Sequence, residues 1–554
     1  IFGRGGGGGV INRVTKTPLM DQQLLTADAA ADSWGSWRLA TDLNLPVAAG
    51  VAARLNGFVE EASNHRDGFG LTRWAVNPTI GVDLGGRGRL VLGYEHASDD
   101  RVADRGIPSQ NGRPAPVARG LFVGDRALNR SRVDVDALNL AANYALADGL
   151  TLRNATRWAD YDKEYLNIFA ATALSPAGTV GIEAYRDPTR RHNLFSQTDL
   201  AWKTELAGMQ HTLLAGFELG RQVTRNQRIN GFFDGVAGGP TRVTVALTDP
   251  FTPPAASFRA GPGNRSIRAV AEVAALFVQD QVKIGEIVEL VGGVRYDRFE
   301  LAVDNLLSGA GFARTDHLWS PRAGLVVKPV KTASLYASFS RSYLPQSGDQ
   351  FTSLDASLAA LEPEGFLNRE IGAKWDITPA LNLNIAAYVL DRTNTRAPGS
   401  VAGTVELTGR QRSRGIEIGL DGQIRPWWQV QAGLAVQSAR IVSTTSAAPA
   451  GRHVPLVPQF QASLWQRWQV VEALGLGLGL LHQGKSFAGI SNSVTLPAYT
   501  RVDGALYFKL VKGVSGQLNI ENLFNAAYFP TAHTDNNIST GTPRTARLTI
   551  RAGF

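Results

Sequence analysis

The sequence predicts an all-β fold in which one antiparallel sheet closes into a transmembrane β-barrel of about 22 strands. About twenty-two short segments alternate between apolar and polar residues, as strands with two different faces do. The connections between them alternate between short and long, which is how a membrane barrel sorts its loops between its two rims. No segment approaches the ~18 to 20 continuous apolar residues of a membrane helix, so strands must cross the bilayer.

Ten short connections mark one rim of the predicted barrel. They are Pro46–Gly50, Gly85–Gly88, Ala147–Gly149, Ala207–Gln210, Ile284–Ile287, Lys331–Ala333, Pro379–Leu381, Pro426–Trp427, Glu472–Ala473 and Lys512–Val514. The long connections include Asp99–Arg132, Glu164–Arg190 and Asn226–Ile267. A soluble sandwich has no reason to sort its loops by side, so this pattern favours the barrel.

Strand alternation is clearest near the end of the chain. In Leu474–Leu481 the leucines point one way and the glycines the other. In Ala546–Phe554 five apolar residues share one face, while two arginines and a threonine share the opposite face. The polar face must be wet, and in a wide barrel it lines the lumen.

The aromatic residues and the width of the barrel lead to two further expectations. Tryptophans recur near predicted strand ends, where an interfacial girdle would lie; they are Trp34, Trp37, Trp158, Trp202, Trp319, Trp375, Trp427, Trp428, Trp465 and Trp468. About twenty-two strands enclose a lumen too wide for side chains to fill, so a plug is expected inside it.

Composition agrees with an exported membrane protein. The chain has 554 residues, no cysteine, a net charge of +8, a pI near 9.7 and a mean hydropathy of −0.10. An exported barrel avoids stray thiols and is closed by its hydrogen-bonded ladders. A basic chain attracts anionic ligands, lipopolysaccharide phosphates or nucleic acid. Because the arginines are scattered along the sequence, we expect a solvated lumen and rim and no nucleic-acid partner.

Several sequence patterns resemble binding motifs without their structural context. Gly479–Ser486 fits the phosphate-loop pattern, but no helical period follows it. Gly3, Gly5 and Gly8 fit a dinucleotide-binding pattern, but no strand precedes them. The sequence therefore gives no support for a nucleotide cofactor.

Metal-ligand and catalytic patterns are also missing. The eight histidines have no ligand-like spacing, although His453 and His533 stay open as axial ligands of a haem. Asp99, Asp100 and Asp104 are better explained as a solvated acidic loop than as a calcium site. No serine, histidine and aspartate order stands out. We predict no metal site, no cofactor and no enzymatic activity.

Four segments of the chain resemble the TonB-dependent outer-membrane receptors, and within them the ferric-siderophore branch. They are Gly3–Pro18, Asp104–Pro108 (DRGIP), Leu361–Lys374 preceded by Ser340–Pro345, and Asn519–Tyr528 (NIENLFNAAY) followed by Pro543–Arg544. The residues that match the family signatures are Gly9, Asn12, Lys16, Asp104, Arg105, Gly106, Ile107, Pro108, Pro363, Glu364, Asn522, Leu523, Phe524 and Phe554. Their order along almost the whole chain makes the resemblance specific.

The resemblance implies a 22-stranded barrel with an N-terminal plug that imports an iron chelate, energised by the inner-membrane TonB–ExbB–ExbD complex. Residues 1–20 would be the C-terminal end of the plug and residues 21–554 the barrel. The long connections would be extracellular and the short ones periplasmic. We expect a monomer in the outer membrane of a Gram-negative bacterium, in contact with lipopolysaccharide. Most of the plug and the TonB-interacting segment would lie before Ile1.

A ferric siderophore already carries its own metal ligands, so its receptor needs aromatic and cationic side chains at the outer mouth. The candidates in loops and strand tips are Tyr161, Tyr165, Phe169, Tyr185, Phe232, Phe233, Tyr343, Arg113, Arg119, Arg225 and Arg228. Some family members place an aromatic residue just before the Ile-Pro of the DRGIP signature, where this chain has Gly106. A pocket copied from those members is therefore not expected here.

Two alternatives remain open from the sequence. The same fold could carry another cargo, such as cobalamin, haem or a nickel chelate. A barrel not coupled to TonB could instead be a passive pore or a docking site for phage or bacteriocins.

Overall fold

A computed structural model describes residues 13–261, 263–345, 362–398, 405–445 and 448–553. The described residues form 30 strands and no helix. None of them lies in a helix that is long and apolar enough to cross a membrane.

The strands are β1 (Leu24–Asp32), β2 (Trp37–Ala48), β3 (Val51–Ala62), β4 (Leu71–Asp83), β5 (Gly88–Arg101), β6 (Ser109–Gln110), β7 (Arg113–Pro114), β8 (Arg130–Ala147), β9 (Leu150–Ala170), β10 (Thr179–Leu206), β11 (Met209–Phe232), β12 (Arg242–Ala246), β13 (Ser257–Phe258), β14 (Arg265–Ile284), β15 (Val288–Asn305), β16 (Gly311–Val330), β17 (Ala333–Leu344), β18 (Glu364–Thr378), β19 (Leu381–Pro398), β20 (Val405–Arg425), β21 (Trp428–Ile441), β22 (Phe460–Val471), β23 (Leu474–Gln483), β24 (Ser486–Phe487), β25 (Thr495–Leu496), β26 (Tyr499–Val511), β27 (Val514–Glu521), β28 (Thr531–Thr534), β29 (Asn537–Ser539) and β30 (Thr545–Gly553).

Twenty-two of these strands form one closed antiparallel ring. Each ring strand pairs with the next along the chain, and β1 pairs with both β2 and β30, which closes the cylinder. The other eight strands lie in the loops: β12 and β13 extend the sheet beside β10 and β11, and three pairs form separate short hairpins. The predicted 22-stranded antiparallel barrel is confirmed.

The connections sort by length as predicted. One rim carries ten tight turns, from 49–50 between β2 and β3 to 512–513 between β26 and β27. The other rim carries the longer loops, including 102–129, 233–264 and 522–544. The prediction of a long loop over Glu164–Arg190 is wrong, because β9 and β10 continue through most of it and leave only residues 171–178 as a connection.

The two faces of the barrel differ in chemistry, as the alternation predicted. In β23 the outward Leu476, Leu478 and Leu480 are exposed, while the intervening glycines are buried on the lumen side. A Cβ on Gly477 or Gly479 would come within 2.6 or 2.5 Å of the Trp465 ring. Trp465 thus faces the lumen and lies across these glycines, so its assignment to the interfacial girdle is wrong.

Small cores hold four of the long loops together above the barrel. Leu121 from loop 102–129 packs with Ile168 of β9, Ile182 of β10 and Phe233 of loop 233–264. A second core joins loop 102–129 to loops 484–498 and 522–544 through buried aliphatic side chains, among them Ile107 and Ile538. Because apolar burial stabilises these contacts, these four loops form an ordered part of the rim.

The segment before β1 follows the lumen wall over β2 to β5. Lys16 donates to Asp42 at 2.7 Å, and the Arg54 guanidinium donates to Asp42 and to the carbonyl of Thr17 at 2.7 Å each. Buried Asn44 accepts from Leu19 N at 2.8 Å and donates to two carbonyls of the same segment. These hydrogen bonds fix where the chain enters the barrel.

Candidate functional site

The DRGIP segment places Arg105 inside the rim. Asp104 accepts hydrogen bonds from the Arg66 guanidinium, at 2.6 Å to Nε, and from Gly106 N at 2.8 Å. Ile107 and Ile538 exchange two backbone hydrogen bonds of 2.9 Å, which join loop 102–129 to β29. With its neighbours held on both sides, the Arg105 side chain has a defined direction.

Arg105 lies among three aromatic rings of the β9–β10 hairpin. Its guanidinium carbon is 4.5 Å from the Phe169 ring centre, 5.2 Å from that of Tyr185 and 5.7 Å from that of Tyr165. Its Nε donates to the Tyr165 hydroxyl at 3.2 Å, and one terminal nitrogen donates to the Tyr185 hydroxyl. Cation–π contacts of this kind are worth about 0.5 to 2 kcal/mol each.

A second arginine covers the same ring. The guanidinium carbon of Arg228 lies 3.6 Å from the centre of Tyr185, and Tyr185 itself is almost fully buried. Tyr185 of β10 is opposite Asn167 of β9 and Asn230 of β11. Because every second residue of a strand points to the same face, Tyr165, Phe169 and Arg228 share the face of Tyr185. That face lines the lumen, because the alternate residues further down the strands are the exposed leucines and tryptophans of the lipid side.

The electrostatics of this cluster favour an anion. Neither Arg105 nor Arg228 forms a salt bridge with a carboxylate among the described residues. Burial and the nearby positive charges of Arg105 and Arg228 lower the pKa of His533, so this imidazole is neutral at pH 7. Two uncompensated cations beside a neutral histidine leave a positive, aromatic-lined site.

We name this group the mouth cluster: Arg105, Tyr165, Phe169, Tyr185, Arg228 and His533. Four of its members come from the ligand candidates predicted from sequence. Arg105 was predicted only as a signature residue, and His533 only as a remote haem ligand. Arg105 is itself the second residue of the DRGIP signature, but only the folded loops bring it to the rings.

The other predicted candidates lie elsewhere. Tyr161 is on the lumen side of β9, opposite Arg191. Phe233 is fully buried in a loop core. Arg225 and Tyr343 lie on the outward face of the barrel, as the registers of β11 and β17 require. The structure does not bring any of these four to the mouth cluster.

Three further candidates lie in the loops or at the end of a strand. Phe232 carries Arg259 over its ring at 4.1 Å, and Arg259 is paired with Asp234. Arg113 is exposed in β7. Arg119 donates to Ala526 O and to Asn525, and so connects loop 102–129 to loop 522–544.

The remaining signature residues hold turns and strand ends. Asn522, with a φ of 53°, donates to the carbonyls of Ala526 and Thr542 and accepts from Ala526 N. Leu523 N donates to Val502 O, whereas Phe524 is 74% exposed. Pro363 immediately precedes β18, and Glu364, its first residue, accepts from Arg392 at 2.9 Å. Gly9, Asn12 and Phe554 lie outside the described residues.

The acidic loop residues are engaged by arginines. Asp99 pairs with Arg101, Asp100 with Arg130, and Asp104 with Arg66. Within the described ranges, no group of three or more histidine, cysteine, aspartate or glutamate side chains could hold a metal ion. The aromatic and cationic mouth cluster is therefore the best-defined candidate site.

Comparison with known protein families identifies the barrel. The family described as "TonB dependent receptor-like, beta-barrel" matches residues 33–523. The chain belongs to the TonB-dependent receptor family. It is an outer-membrane protein of the Gram-negative type.

Curated members of the TonB-dependent receptor family match almost the whole chain. It is 25% identical to the probable TonB-dependent siderophore receptor PiuA of Acinetobacter baumannii, over 99% of this chain and 79% of that protein. It is also 25% identical to the catecholate siderophore receptor Fiu of Escherichia coli K12, over 100% of this chain and 79% of that one. The metal-pseudopaline receptor CntO of Pseudomonas aeruginosa is 25% identical over 100% of this chain and 78% of its own length.

Solved structures of TonB-dependent receptors share the fold. The crystal structure of PiuA from A. baumannii matches with a TM-score of 0.90 at 24% identity, over 100% of this chain and 84% of that one. The closed form of the ferric-catecholate import receptor Fiu matches with a TM-score of 0.84 at 23% identity, over 99% and 83%. At these identities the similarity establishes the barrel architecture.

Proposed function

We propose that this TonB-dependent receptor binds a ferric siderophore at the mouth cluster and imports it across the outer membrane. The observation that carries the proposal is the pair Arg105 and Arg228, stacked on Tyr185 in the lumen without carboxylate partners among the described residues. An anionic chelate would supply the missing negative charge, and its own aromatic groups would stack on the rings.

The chemistry of the cluster fits a ferric catecholate best among such chelates. Such a complex is anionic and presents flat aromatic rings at its surface. Guanidinium groups can pair with its oxygen atoms, while Tyr165, Phe169 and Tyr185 offer ring faces and edges. The relative named a catecholate siderophore receptor supports this cargo class.

Import would use parts of the chain on both sides of the site. The ordered loops of the long rim would capture the chelate from the extracellular side. We assign residues 1–20 to the end of the plug and residues 21–554 to the barrel, which agrees with the hydrogen bonds of Lys16, Thr17 and Leu19 to the lumen wall. The inner-membrane TonB complex would energise movement of the plug, as membership of the family implies. We propose no catalytic step and a monomeric receptor.

Binding to the purified receptor in detergent tests the site. We expect ferric catecholate to bind, and the double variant Arg105→Gln/Arg228→Gln to bind it roughly 100-fold more weakly, at about tenfold for each cation–π and charge contact. Arg259→Gln is the matched control, because Arg259 also covers an aromatic ring at the mouth but is paired with Asp234.

Binding by the control should stay within about threefold of the unsubstituted receptor. If the double variant binds ferric catecholate as tightly as the unsubstituted receptor, the mouth cluster is not the site. If neither protein binds any ferric siderophore of a panel, the proposed cargo class is wrong.

A second cargo is supported by one comparison. The relative named a metal-pseudopaline receptor covers the whole chain at the same identity as the siderophore receptors. A metal chelate whose ligands are carboxylates is also anionic but offers no aromatic ring. Tyr185→Leu separates the two, because removing the ring should weaken binding of an aromatic chelate much more than binding of a purely carboxylate one.

A further inference from the structure

A dense group of arginines covers the outward face of β17 to β21. We name it the outer basic patch, and its members are Arg341, Arg369, Arg410, Arg412, Arg414 and Arg440. These six arginines look scattered in the sequence, because they come from four strands that extend over a hundred residues. The sheet register brings them together.

The register places this patch directly above the apolar band. Ile371, Ala387, Ile416 and Val436 form one cross-strand row, and its three large members are 62%, 52% and 51% exposed. Two residues further toward the long loops, the next row contains Arg369 and Arg414. The intervening lumen-facing positions of β18, such as Asn368, Glu370 and Lys374, are polar. The arginines therefore face the membrane side, at the level where the hydrocarbon ends.

The row above concentrates charge around one acid. Asp391 accepts from Arg412 Nε at 2.8 Å and from the Arg410 guanidinium at 2.9 Å, and Arg369 lies 3.8 Å away. With a side chain only 4% exposed, Asp391 is covered by these three arginines. Among the described outward-facing residues of β17 to β21, Asp391 is the one carboxylate, whereas six arginines share that face.

Three of the arginines, Arg341, Arg414 and Arg440, have no acidic partner among the described residues. Arg414 forms no salt bridge among the described residues, and Arg440 directs one nitrogen to the carbonyl of Gly451 at 2.8 Å. Arg440 is directly opposite Arg412 in the β20–β21 register. Like charges directly opposite each other in a sheet are destabilising unless an anion lies between them.

The outward face of β10 to β15 does not show this imbalance to the same degree. On β10 to β15, Arg190 pairs with Asp162, Arg221 with Glu272, and Arg268 with Asp304. Those arginines also lie above the apolar band and are exposed. Among the outward arginines of β10 to β15 that the structure describes, only Arg225 has no acidic partner, so the excess of positive charge is larger on β17 to β21.

From this position and charge we infer that the outer basic patch binds the phosphate groups of a lipid in the outer leaflet, lipopolysaccharide being the phosphorylated lipid there. Guanidinium forks pair with phosphate oxygens in a bidentate way, and several together hold a multiply charged headgroup. The exposed isoleucine and valine row below would contact the acyl chains of the same lipid. The patch faces away from the lumen, so its ligand does not compete with cargo.

Native mass spectrometry of the detergent-solubilised receptor tests the site with bisphosphorylated lipid A as the probe. We expect the double variant Arg414→Gln/Arg440→Gln to bind lipid A roughly 25-fold more weakly, at about fivefold for each arginine. Neither residue contacts Asp391 in the hydrogen bonds and salt bridges described above, so the variant does not leave a buried acid unpaired. Arg414→Lys/Arg440→Lys should restore most of the affinity, because it keeps the charge.

Arg190→Gln/Arg268→Gln is the matched control. It removes the same charge from the outward face, at arginines that already have acidic partners, and should change lipid A binding by less than about twofold. Lipid A from which both phosphates have been removed should bind the unsubstituted receptor as weakly as lipid A binds the patch variant.

Three results would overturn the inference. Lipid A could bind the patch variant as tightly as the unsubstituted receptor, or the control variant could lose as much affinity as the patch variant. Inorganic pyrophosphate could compete with lipid A at equal concentration, which would make the ligand a soluble phosphate and not a membrane lipid. A thermal melt of each variant in detergent establishes that the barrel is folded.

Discussion

Gly106 offers a sharp test of how the long loops are held over the mouth. Its φ is +83°, and a Cβ there would lie 2.0 Å from the carbonyl oxygen of Ile538. Gly106→Ala therefore incurs a left-handed backbone cost of about 1 to 2 kcal/mol. It must also separate loop 102–129 from β29, which breaks the two backbone hydrogen bonds of Ile107 and Ile538 at about 1 kcal/mol each.

A total of about 3 kcal/mol corresponds to a roughly 100-fold increase in local opening. Hydrogen exchange of the Ile107 and Ile538 amides measures it directly, without any ligand. The matched control is Gly35→Ala, because Gly35 has the same φ of +83° but nothing within 4 Å of its Cβ position. That variant should leave the Ile107 and Ile538 amides unchanged. Unchanged protection of these two amides in Gly106→Ala would refute the reasoning.

Two further predictions concern charged groups. Burial and the charges of Arg66 and Arg119 lower the pKa of His65 from its ordinary value of 6.5 to about 4. Because the folded protein favours the neutral ring, this shift contributes stability that is complete above pH 6.5 and declines as the pH falls toward 4. The melting temperature in detergent should therefore fall less between pH 7.5 and 4.5 for His65→Gln than for the unsubstituted protein, and equal falls would contradict this. Arg295→Leu leaves fully buried Asp297 without its partner and should destabilise the barrel by about 3 to 5 kcal/mol in urea unfolding. Arg298→Leu, which breaks an exposed outward pair with Glu300, should cost less than about 1 kcal/mol, and an equal cost for both would show that burial of the pair does not matter.

The barrel could be predicted from sequence because its signal is local. Residues that are neighbours in sequence show the alternation of each membrane-crossing segment, as in Leu474–Leu481, and the tight turn at one of its ends. The tops of β9 and β10 could not be recognised in this way. Their residues between Glu164 and Arg190 are polar or covered by loops on both faces, so the alternation that marks a strand in the bilayer is absent there.

The candidate site was only partly predictable for a different reason. Composition selects aromatic and cationic residues but does not give their face, and an offset of three residues in β11 puts Arg228 in the lumen and Arg225 outside. Arg105 reaches the rings only because loop 102–129 is joined to β29, a contact between segments more than four hundred residues apart. The outer basic patch depends in the same way on the pairing of distant strands.

The long β9–β11 ladder has a consequence for the surface of the cell. β10 contains 28 residues, or roughly 90 Å of strand at about 3.3 Å per residue, whereas crossing ~30 Å of hydrocarbon at a tilt near 40° uses about 40 Å. Roughly 50 Å of hydrogen-bonded ribbon therefore stands clear of the lipid. Antibodies raised against folded protein should recognise this stiff projection on intact bacteria, and a short linear peptide from its tip should mimic it poorly.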